Sequence, residues 1–300
     1  MNYAGATGIQ PGTKERVAHI VENVDRLPAL PAIVLQLMRV VNCSKSSVVD
    51  AAKLIAVDPV LTSKVIRLAN SSFYGIPRTV SSLPDAIVIL GFNTIRSLVL
   101  GLSVAKMFHG NHSLNMDRFW KHSIITAIAA KIIARHLRKN VMMIDPESAF
   151  SAGILHDLGK LIFSQYVTAD YIRVCGYADR SCSSILEAED ELLGINHTEV
   201  GKTLAVKWAL PPDLGSVLMY HHRPQEAAEE ASFLVNVIHL ADIIAHTLEC
   251  NLFDGEVCEL MDRDCLAELK MDKDEYDKLL HNVENSIEKS QEFLSTIMIS

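Results

Sequence analysis

One thirteen-residue stretch, AFSAGILHDLGKL at residues 149–161, constrains the fold more than any other part of the chain. Its apolar first half predicts a buried helix that delivers the adjacent pair His156 and Asp157. Neighbours on a straight helix point about 100° apart, so both side chains can face one centre only if the helix ends or bends there. Gly159 allows such a break, and Lys160 adds a positive charge beside the pair. An imidazole nitrogen and a carboxylate oxygen that meet at one point are typical metal ligands.

The composition indicates an all-α fold. Hydrophobic residues make up 49% of the 300 residues but aromatic residues only 6%, so the core must consist mainly of Leu, Ile, Val and Ala, which suits packed helices. Fourteen Gly and ten Pro are few for an all-β chain with its many turns. Asp58 and Asp145, each followed by a proline, predict helix starts. We therefore predict two packed helical bundles.

The polar segment HGNHSLN predicts where the chain divides. We expect a disordered leader, a first bundle, a second bundle and a helical tail at residues 1–13, 14–110, 111–250 and 251–300. The tail contains Asp272 and Glu275 at the spacing of a capping box, followed by an amphipathic helix. Because that helix could pack on its own bundle or on another subunit, the sequence leaves the oligomeric state open.

Charge, cysteine spacing and hydropathy exclude several classes of protein. A net charge of −8 argues against a non-specific nucleic-acid binder, although a small anionic ligand could still bind in a locally basic pocket. The six cysteines form no CxxC pair, no zinc-type spacing and no disulfide framework, as expected of thiols in a reducing compartment. No secretory signal and no run of about 18 apolar residues is visible. We predict a cytoplasmic protein with no membrane-spanning segment.

Potential metal ligands recur along the second predicted bundle. Metal sites in helical bundles take one or two inward His or carboxylate groups from each of several helices. Such residues occur here in apolar segments or near helix ends, in the order His122, His156, Asp157, His197, His221, His222 and Asp242. The alternative to a metal is a polar core in which the same His and Asp side chains pair with one another by hydrogen bonds.

A lone His on an apolar helix is more often a core or surface residue than a ligand. We assign that role to the seven other histidines: His19, His109, His112, His136, His239, His246 and His281. Two of these, His239 and His246, lie three and four positions from Asp242 and could support it as hydrogen-bonding partners.

Several of these segments resemble a known family. ILHDLGK at residues 154–160 resembles the signature of the HD superfamily of metal-dependent phosphohydrolases. Upstream, three motifs resemble the HDOD domain, the HD-related output domain of bacterial signalling proteins: LPALP at 27–31, DPVLTSKVIRLANSSFYG at 58–75 and AIVILGFNTIRSLVL at 86–100. The resemblance runs from about residue 17 to residue 245 and implies an HD-like fold for the second bundle.

The resemblance also implies roles for the potential ligands. HD proteins hold one ion with a His, a His-Asp pair and a distant Asp, which match His122, His156 with Asp157, and Asp242. The HD-GYP branch adds histidines for a second ion, which match His197, His221 and His222, with Asp157 shared by both ions. One or two divalent ions are therefore expected, iron or manganese given the mixed ligands. Asp157 and Lys160 would be catalytic if the protein is an enzyme.

Three features leave alternatives open. After His221 and His222 the chain reads RPQEAA and lacks the Gly-Tyr-Pro segment of HD-GYP enzymes, which argues against hydrolysis of cyclic dinucleotides. Lys160 could contact phosphate or could be a solvated side chain. The HDOD-type cluster of Arg67, Asn70 and Tyr74 could be a binding face or a loop held by side-chain hydrogen bonds.

Two functions remain. We favour a regulatory output protein that acts by binding a signalling protein or a small anionic, nucleotide-like ligand, with a metal site in its HD-like bundle. The alternative is a metal-dependent phosphohydrolase that cleaves a nucleotide-like phosphoester, in which an ion would lower the pKa of a bound water.

Overall fold

The computed structural model describes residues 12–22, 27–42, 47–71, 75–108, 114–138, 144–181, 183–253 and 262–289. Within these ranges the chain is all-α, as predicted, and contains no β-strand. The first six helices are α1 (Thr13–Glu22), α2 (Ala32–Asn42), α3 (Val48–Ile55), α4 (Pro59–Ala69), α5 (Leu83–Leu90) and α6 (Phe92–Met107). They are followed by α7 (Met116–Arg138), α8 (Pro146–Leu155), α9 (Leu158–Tyr166), α10 (Thr168–Ser181), α11 (Ile185–Leu193), α12 (His197–Lys207), α13 (Pro212–Tyr220), α14 (Glu229–Phe253), α15 (Arg263–Glu268) and α16 (Lys273–Lys289).

Helix caps set the starts of the short helices in the first bundle. Ser47 and the third residue of α3 form a capping box, in which each side chain bonds the backbone of the other residue. At α4 the Asp58 side chain accepts hydrogen bonds from the first backbone N–H groups of the helix, as its sequence predicts. One face of α4 buries Leu61, Val65 and Leu68 in the core.

The long helices α7 and α14 form the centre of the second bundle, and α8 packs against both. Gly153 lets α8 approach α7 closely, because a Cβ at this position would lie 2.6 Å from the Cα of Ala127. This contact places the end of α8, where the His-Asp pair lies, in the interior of the bundle.

The first bundle contacts the second bundle both near the beginning and near the end of its own sequence. The Trp208 indole N–H, after α12, donates to the carbonyl oxygen of Pro28 at 2.8 Å, so the LPALP segment is attached to the second bundle. At the other end α6 packs on α8, where Asn93 Nδ2 donates to Asp145 Oδ2 at 2.8 Å.

The tail packs on the same chain. The capping box of Asp272 and Glu275 starts α16 as predicted, with hydrogen bonds of 2.8 and 3.2 Å. The apolar stripe of α16 then buries Tyr276, Leu279 and Val283, and the helix packs against α7. Of the two arrangements that the sequence left open, the described residues therefore adopt the one within a single chain.

Two segments differ from expectation. No helix was predicted over Thr168–Ser181, yet α10 lies there and buries the stripe Tyr171, Val174 and Ala178. Thr13, the last residue of the predicted leader, is the first residue of α1; it is buried and donates to Asp170 Oδ2 at 2.8 Å. The remainder of that leader up to residue 11 lies outside the described residues, as does most of the predicted boundary segment.

Helix α14 is, by length and composition, apolar enough to cross a membrane. However, 67% of its most apolar window is buried inside the protein. Its composition is therefore accounted for by its central place in the second bundle.

Candidate metal centre

The predicted pair His156 and Asp157 lies in a two-residue turn between α8 and α9, and both side chains are buried. The helix therefore breaks where the sequence required, but Gly159 has a different role from the one expected. It lies inside α9, and a Cβ there would collide with the carbonyl oxygen of His197. Gly159 thus allows α9 to approach the start of α12, which brings His197 to the pair.

One group of side chains, which we call subsite 1, consists of His122 from α7, His156 from the turn after α8, and Asp242 from α14. Asp157 lies beside this group. Asp242 Oδ1 is 2.9 Å from His122 Nε2 and 3.7 Å from His156 Nε2. Asp157 Oδ2 is 3.4 Å from His156 Nε2 and 3.9 Å from His122 Nε2. Two ligand atoms that are each about 2.1 Å from one ion lie roughly 3–4 Å apart. His122, His156 and Asp242 therefore have the spacing of a metal site, and Asp157 lies within 4 Å of both histidines.

A second group, subsite 2, consists of Asp157, His197, His221 and His222. Asp157 Oδ1 is 3.3 Å from His197 Nε2 and 3.5 Å from His221 Nε2, and the Nε2 atoms of His197 and His222 are 3.2 Å apart. Asp157 therefore turns one oxygen toward each subsite, which is the geometry of a bridging carboxylate. All seven predicted ligands lie together in this centre.

Hydrogen bonds fix which imidazole nitrogen faces the centre. Nδ1 of His156 and of His221 lies 2.8 and 3.0 Å from a backbone carbonyl oxygen of its own helix. Because a carbonyl only accepts, each Nδ1 carries a proton, and Nε2 is the nitrogen that faces the centre. His197 is held the same way, with Nδ1 donating to Glu189 at 2.6 Å. Three Nε2 atoms thus point inward as potential metal ligands.

The facing atoms lack other partners. His156 Nε2, His221 Nε2, Asp157 Oδ1 and Asp242 Oδ1 are buried and make no hydrogen bond to the described residues. Buried polar atoms are normally paired. Burial lowers the pKa of His221, and the lone pair on Nε2 of this neutral ring is repelled by Asp157 Oδ1, which lies 3.5 Å away. A polar core of His–Asp hydrogen bonds would leave the neutral imidazole nitrogen of His221 unpaired beside Asp157, whereas one divalent cation in each subsite would pair all four atoms. The residues present therefore fit a metal ion.

The pKa shifts separate the two subsites. Burial disfavours the charged form of His156, but the Asp157 and Asp242 carboxylates outweigh burial and raise its pKa to about 10. Burial alone would raise the pKa of Asp157 and Asp242, yet nearby cationic side chains hold both well below their usual range. In subsite 2, burial lowers the pKa of His197 and His222 well below the usual value. In subsite 1 a proton therefore takes the place of a cation, while subsite 2 offers neutral imidazoles.

Lys160 lies inside the centre rather than in solvent. Its Nζ is 2.5 Å from Asp157 Oδ2, and its side chain is 12% exposed, which argues against the solvated alternative. The side chains of His222 and His246 are 21% and 45% exposed. Solvent therefore reaches the centre on the side of these two histidines.

Two buried carboxylates at the centre were missed in the sequence. Glu189 of α11 accepts the Nδ1–H of His197 and also the Tyr171 hydroxyl, the latter at 2.7 Å. Glu249 of α14 places Oε2 3.4 Å from His122 Nδ1. Each carboxylate therefore contacts the outer nitrogen of a potential metal ligand.

Helical spacing could have identified Glu249 but not Glu189. Glu249 lies seven residues, two helical turns, after Asp242 and thus on the same face of α14. Glu189 lies with Ala188 and Leu192 on the buried face of α11, but three further acidic residues of this helix conceal its burial in the sequence.

Of the two histidines that were expected to support Asp242, only His246 contacts it. His246 Nε2 is 3.5 Å from Asp242 Oδ1, as expected. His239 instead has Nδ1 2.6 Å from the backbone carbonyl of His221 and Nε2 3.0 Å from Asp262. It supports the backbone of the His221–His222 pair rather than Asp242.

The HDOD-type cluster in the first bundle does not reach the centre. Asn70 ends α4 and holds the following loop: its Nδ2 donates to the Val80 carbonyl at 2.7 Å, and its Oδ1 accepts from the Val80 N–H at 2.8 Å. Arg67 is exposed, and Tyr74 lies outside the described residues. Asn70 therefore matches the alternative of a loop held by side-chain hydrogen bonds, and a binding role for Arg67 and Tyr74 stays a prediction.

Comparison with known protein families shows to which family the chain belongs. The profile of the HDOD domain family matches residues 27–224, more than half of the sequence. The chain belongs to the HDOD family. In this HDOD protein the match runs across the boundary predicted at residue 110 and includes the ligands from His122 to His222, but it ends before Asp242.

Solved structures share the fold. An HDOD domain protein of unknown function from Geobacter sulfurreducens is 25% identical, with a TM-score of 0.73, over 95% of this chain and 97% of that chain. A structure from Shewanella amazonensis named "Putative phosphohydrolase" is 28% identical, with a TM-score of 0.73, over 93% and 98%. An "Uncharacterized protein" of Treponema pallidum is 22% identical over 242 residues, which is 80% of this chain but 46% of that protein. The HDOD protein thus spans about half the length of this curated relative.

Proposed function

We propose that this HDOD protein is a regulatory output protein of a bacterial signalling pathway and holds one or two divalent ions, iron or manganese, in its second bundle. The observation that carries this proposal is the set of buried, unpaired Nε2 and carboxylate oxygen atoms that face one another around Asp157. Mixed imidazole and carboxylate ligands suit these metals. The first ion would be held by His122, His156 and Asp242 and the second by His197, His221 and His222, with Asp157 shared.

The burial of the centre favours a regulatory role over a hydrolytic one. The side chains of His156, His197 and His221 have 0% exposure. Hydrolysis would require a phosphate and a water to reach the ion, whereas a structural or sensory ion can be enclosed. We propose that the protein acts in the cytoplasm, through contacts with a signalling protein or with a small anionic, nucleotide-like ligand.

A metal-dependent phosphohydrolase is the second candidate. Lys160 favours it, because its buried ammonium lies at the bridging carboxylate, where it could also contact a phosphate. The name of the Shewanella structure points in the same direction. A bound ion would supply an acidified water, and the exposed edge at His222 and His246 would admit the substrate.

Elemental analysis of the purified protein tests both candidates. We expect one or two iron or manganese ions per chain, and we expect the Asp157→Ala variant to lose them while its helical circular dichroism is retained. Asp145→Ala is the matched control, since this carboxylate caps the start of α8, outside the centre, and its loss should leave the metal content unchanged.

The same samples are then assayed with nitrophenyl phosphates, nucleotides and cyclic dinucleotides. Metal without turnover supports the regulatory role. Turnover that Asp157→Ala abolishes would instead support the phosphohydrolase. A protein that takes up neither iron nor manganese would refute both.

A further inference from the structure

We infer that Glu189 and Glu249 are positioning residues that set the metal affinities of the two subsites separately, Glu189 for subsite 2 and Glu249 for subsite 1. The inference rests on the proposed metal centre and adds two residues outside its ligand set. Each carboxylate comes from a different helix than the imidazole it contacts.

Glu189 holds His197 at two points, the imidazole and the backbone. It is fully buried, and its Oε2 accepts both the Nδ1–H of His197 at 2.6 Å and the backbone N–H of the same residue at 2.8 Å. Its other oxygen accepts the Tyr171 hydroxyl at 2.7 Å, which fixes the carboxylate. When Glu189 is ionised, the ring is thereby held as the Nδ1–H tautomer, with Nε2 facing Asp157. A carboxylate behind a ligating imidazole also raises the basicity of the ligand nitrogen.

Glu249 acts on the other subsite with a longer contact. Its Oε2 is 3.4 Å from His122 Nδ1, while Nε2 of the same ring is 2.9 Å from Asp242 Oδ1. Glu249 is also buried. The longer distance predicts a smaller effect than that of Glu189.

The hydrogen bonds of the other ligands explain why Glu189 and Glu249 should each affect the metal affinity of one subsite only. His156 and His221 direct Nδ1 to carbonyl oxygens of their own helices, so their orientation does not depend on either carboxylate. Replacing Glu189 should therefore disturb one ligand of subsite 2, and replacing Glu249 one ligand of subsite 1.

The chain offers a matched control on α11. Glu191, two residues after Glu189, accepts the Tyr177 hydroxyl at 2.8 Å in an exposed pair with the same chemistry. Glu191→Gln removes the charge from a Glu–Tyr pair of the same helix without touching a potential ligand.

The experiment titrates Mn²⁺ calorimetrically in two backgrounds. His122→Ala leaves subsite 2 intact, and His222→Ala leaves subsite 1 intact. We expect Glu189→Gln to weaken Mn²⁺ binding about 10–100-fold in the His122→Ala background and to leave the His222→Ala background unchanged. We expect Glu249→Gln to do the reverse, with an effect near about 10-fold, and Glu191→Gln to change neither.

Nitrogen-15 NMR of the metal-free protein gives a readout that a purely structural role would not move. His197 should show the Nδ1–H tautomer in the unaltered protein and in Glu191→Gln. It should show less of that tautomer in Glu189→Gln, because the amide NH2 group can also donate to Nδ1. If Glu189→Gln does not fold, Tyr171→Phe keeps the carboxylate but removes one of its donors, and it should weaken subsite 2 severalfold.

Equal weakening of both subsites by Glu189→Gln, or no change in either variant of a protein that binds two ions, would overturn this inference alone. No change in subsite 2 in Tyr171→Phe would do the same. A native protein that binds no Mn²⁺ would overturn the proposed function together with the inference.

Discussion

The two bundles bury different kinds of polar side chain. In the described residues up to 108, the buried polar residues are four hydroxyl residues, Thr13, Ser71, Thr94 and Ser103. From residue 114 onward the buried set includes ten ionisable residues: His122, Lys131, His156, Asp157, Asp170, Glu189, His197, His221, Asp242 and Glu249. Burying a charge is costly unless it is paired or bound to a metal. The described core of the first bundle is therefore apolar apart from hydroxyl groups, whereas the second bundle must pair its buried ionisable groups with one another or with a metal.

The distribution of charge follows the same division. Residues 14–110 contain eleven Lys and Arg against six Asp and Glu, whereas residues 111–300 contain seventeen against thirty. The net charge of −8 therefore conceals a basic first region and a strongly acidic second one. An acidic region attracts cations over long range, which suits the half of the molecule that contains the candidate metal centre.

The largest expected effect concerns the glycine that brings the two subsites together. Gly159→Ala should lower the free energy of unfolding by about 3 kcal/mol or more, because the added Cβ meets the backbone of His197, which cannot rotate away. Gly215→Ala is the control, since its Cβ would lie 3.6 Å from that of Ala205, and it should be neutral or stabilise by up to about 1 kcal/mol. Urea unfolding measures both. Equal effects of the two substitutions would contradict the close approach of α9 and α12.

A core substitution in the first bundle should change stability without changing the metal content. Leu61 is 4% exposed, so Leu61→Ala should cost about 2–5 kcal/mol by leaving a cavity. Val60→Ala, next to it but 52% exposed, should stay within about 0.5 kcal/mol. Metal per folded molecule should be the same in both variants and in the native protein. Metal loss in folded Leu61→Ala would show that the two bundles are not as distinct as their buried residues indicate.

The pKa of His156 predicts a pH dependence confined to the second bundle. Because this pKa is raised to about 10 without metal, an ion that enters subsite 1 must displace a proton at neutral pH. Apparent Mn²⁺ affinity at that subsite should therefore rise about tenfold per pH unit between pH 6.5 and 8.5. Calorimetry in buffers of different ionisation enthalpy should record the released proton.

The metal-free protein gives the corresponding stability test. A folded pKa above the unfolded value means that the contribution of the His156 imidazolium is fully present below pH 6.5 and is lost as pH rises through about 10. The free energy of unfolding without metal should thus fall over this range. In the Mn²⁺ titration, an affinity that does not change with pH would contradict the prediction that His156 is protonated in the metal-free protein.

The smallest effect separates two residues of the HDOD-type cluster. Asn70→Ala removes the hydrogen bonds that hold the loop at Val80 and should cost about 1–2 kcal/mol. Arg67→Ala removes an exposed side chain and should stay within about 0.5 kcal/mol. Thermal unfolding checks both. A larger loss in Arg67→Ala than in Asn70→Ala would show that Asn70 does not hold the loop.

Much of the fold could be predicted from local patterns. Asp58, Asp145 and Asp272 cap the helices that their sequences predicted, because a cap requires only the next few backbone N–H groups. Helix α10 was missed because its sequence is largely polar and its buried stripe has few residues. Thr13 was assigned to the leader because its partner, Asp170, lies 157 positions away.

The candidate site was predicted less completely than the fold. The ligand set was accessible because each member is a His or Asp on an apolar segment, and the resemblance supplied their order. Glu189 was not recognised, because an acidic residue at a partly apolar helical position also suits a solvated face. Gly159 was interpreted as a helix breaker, since the neighbouring backbone at His197 is not visible in the sequence.

The sequence by itself determined where the helices begin and which side chains are available as ligands, because caps, prolines and apolar spacing act over a few residues. Only the tertiary structure decided which imidazole nitrogen faces the centre and which carboxylates stand behind the rings. Those properties depend on distances between groups as far apart in the chain as His122 and Asp242, which packing alone brings to 2.9 Å.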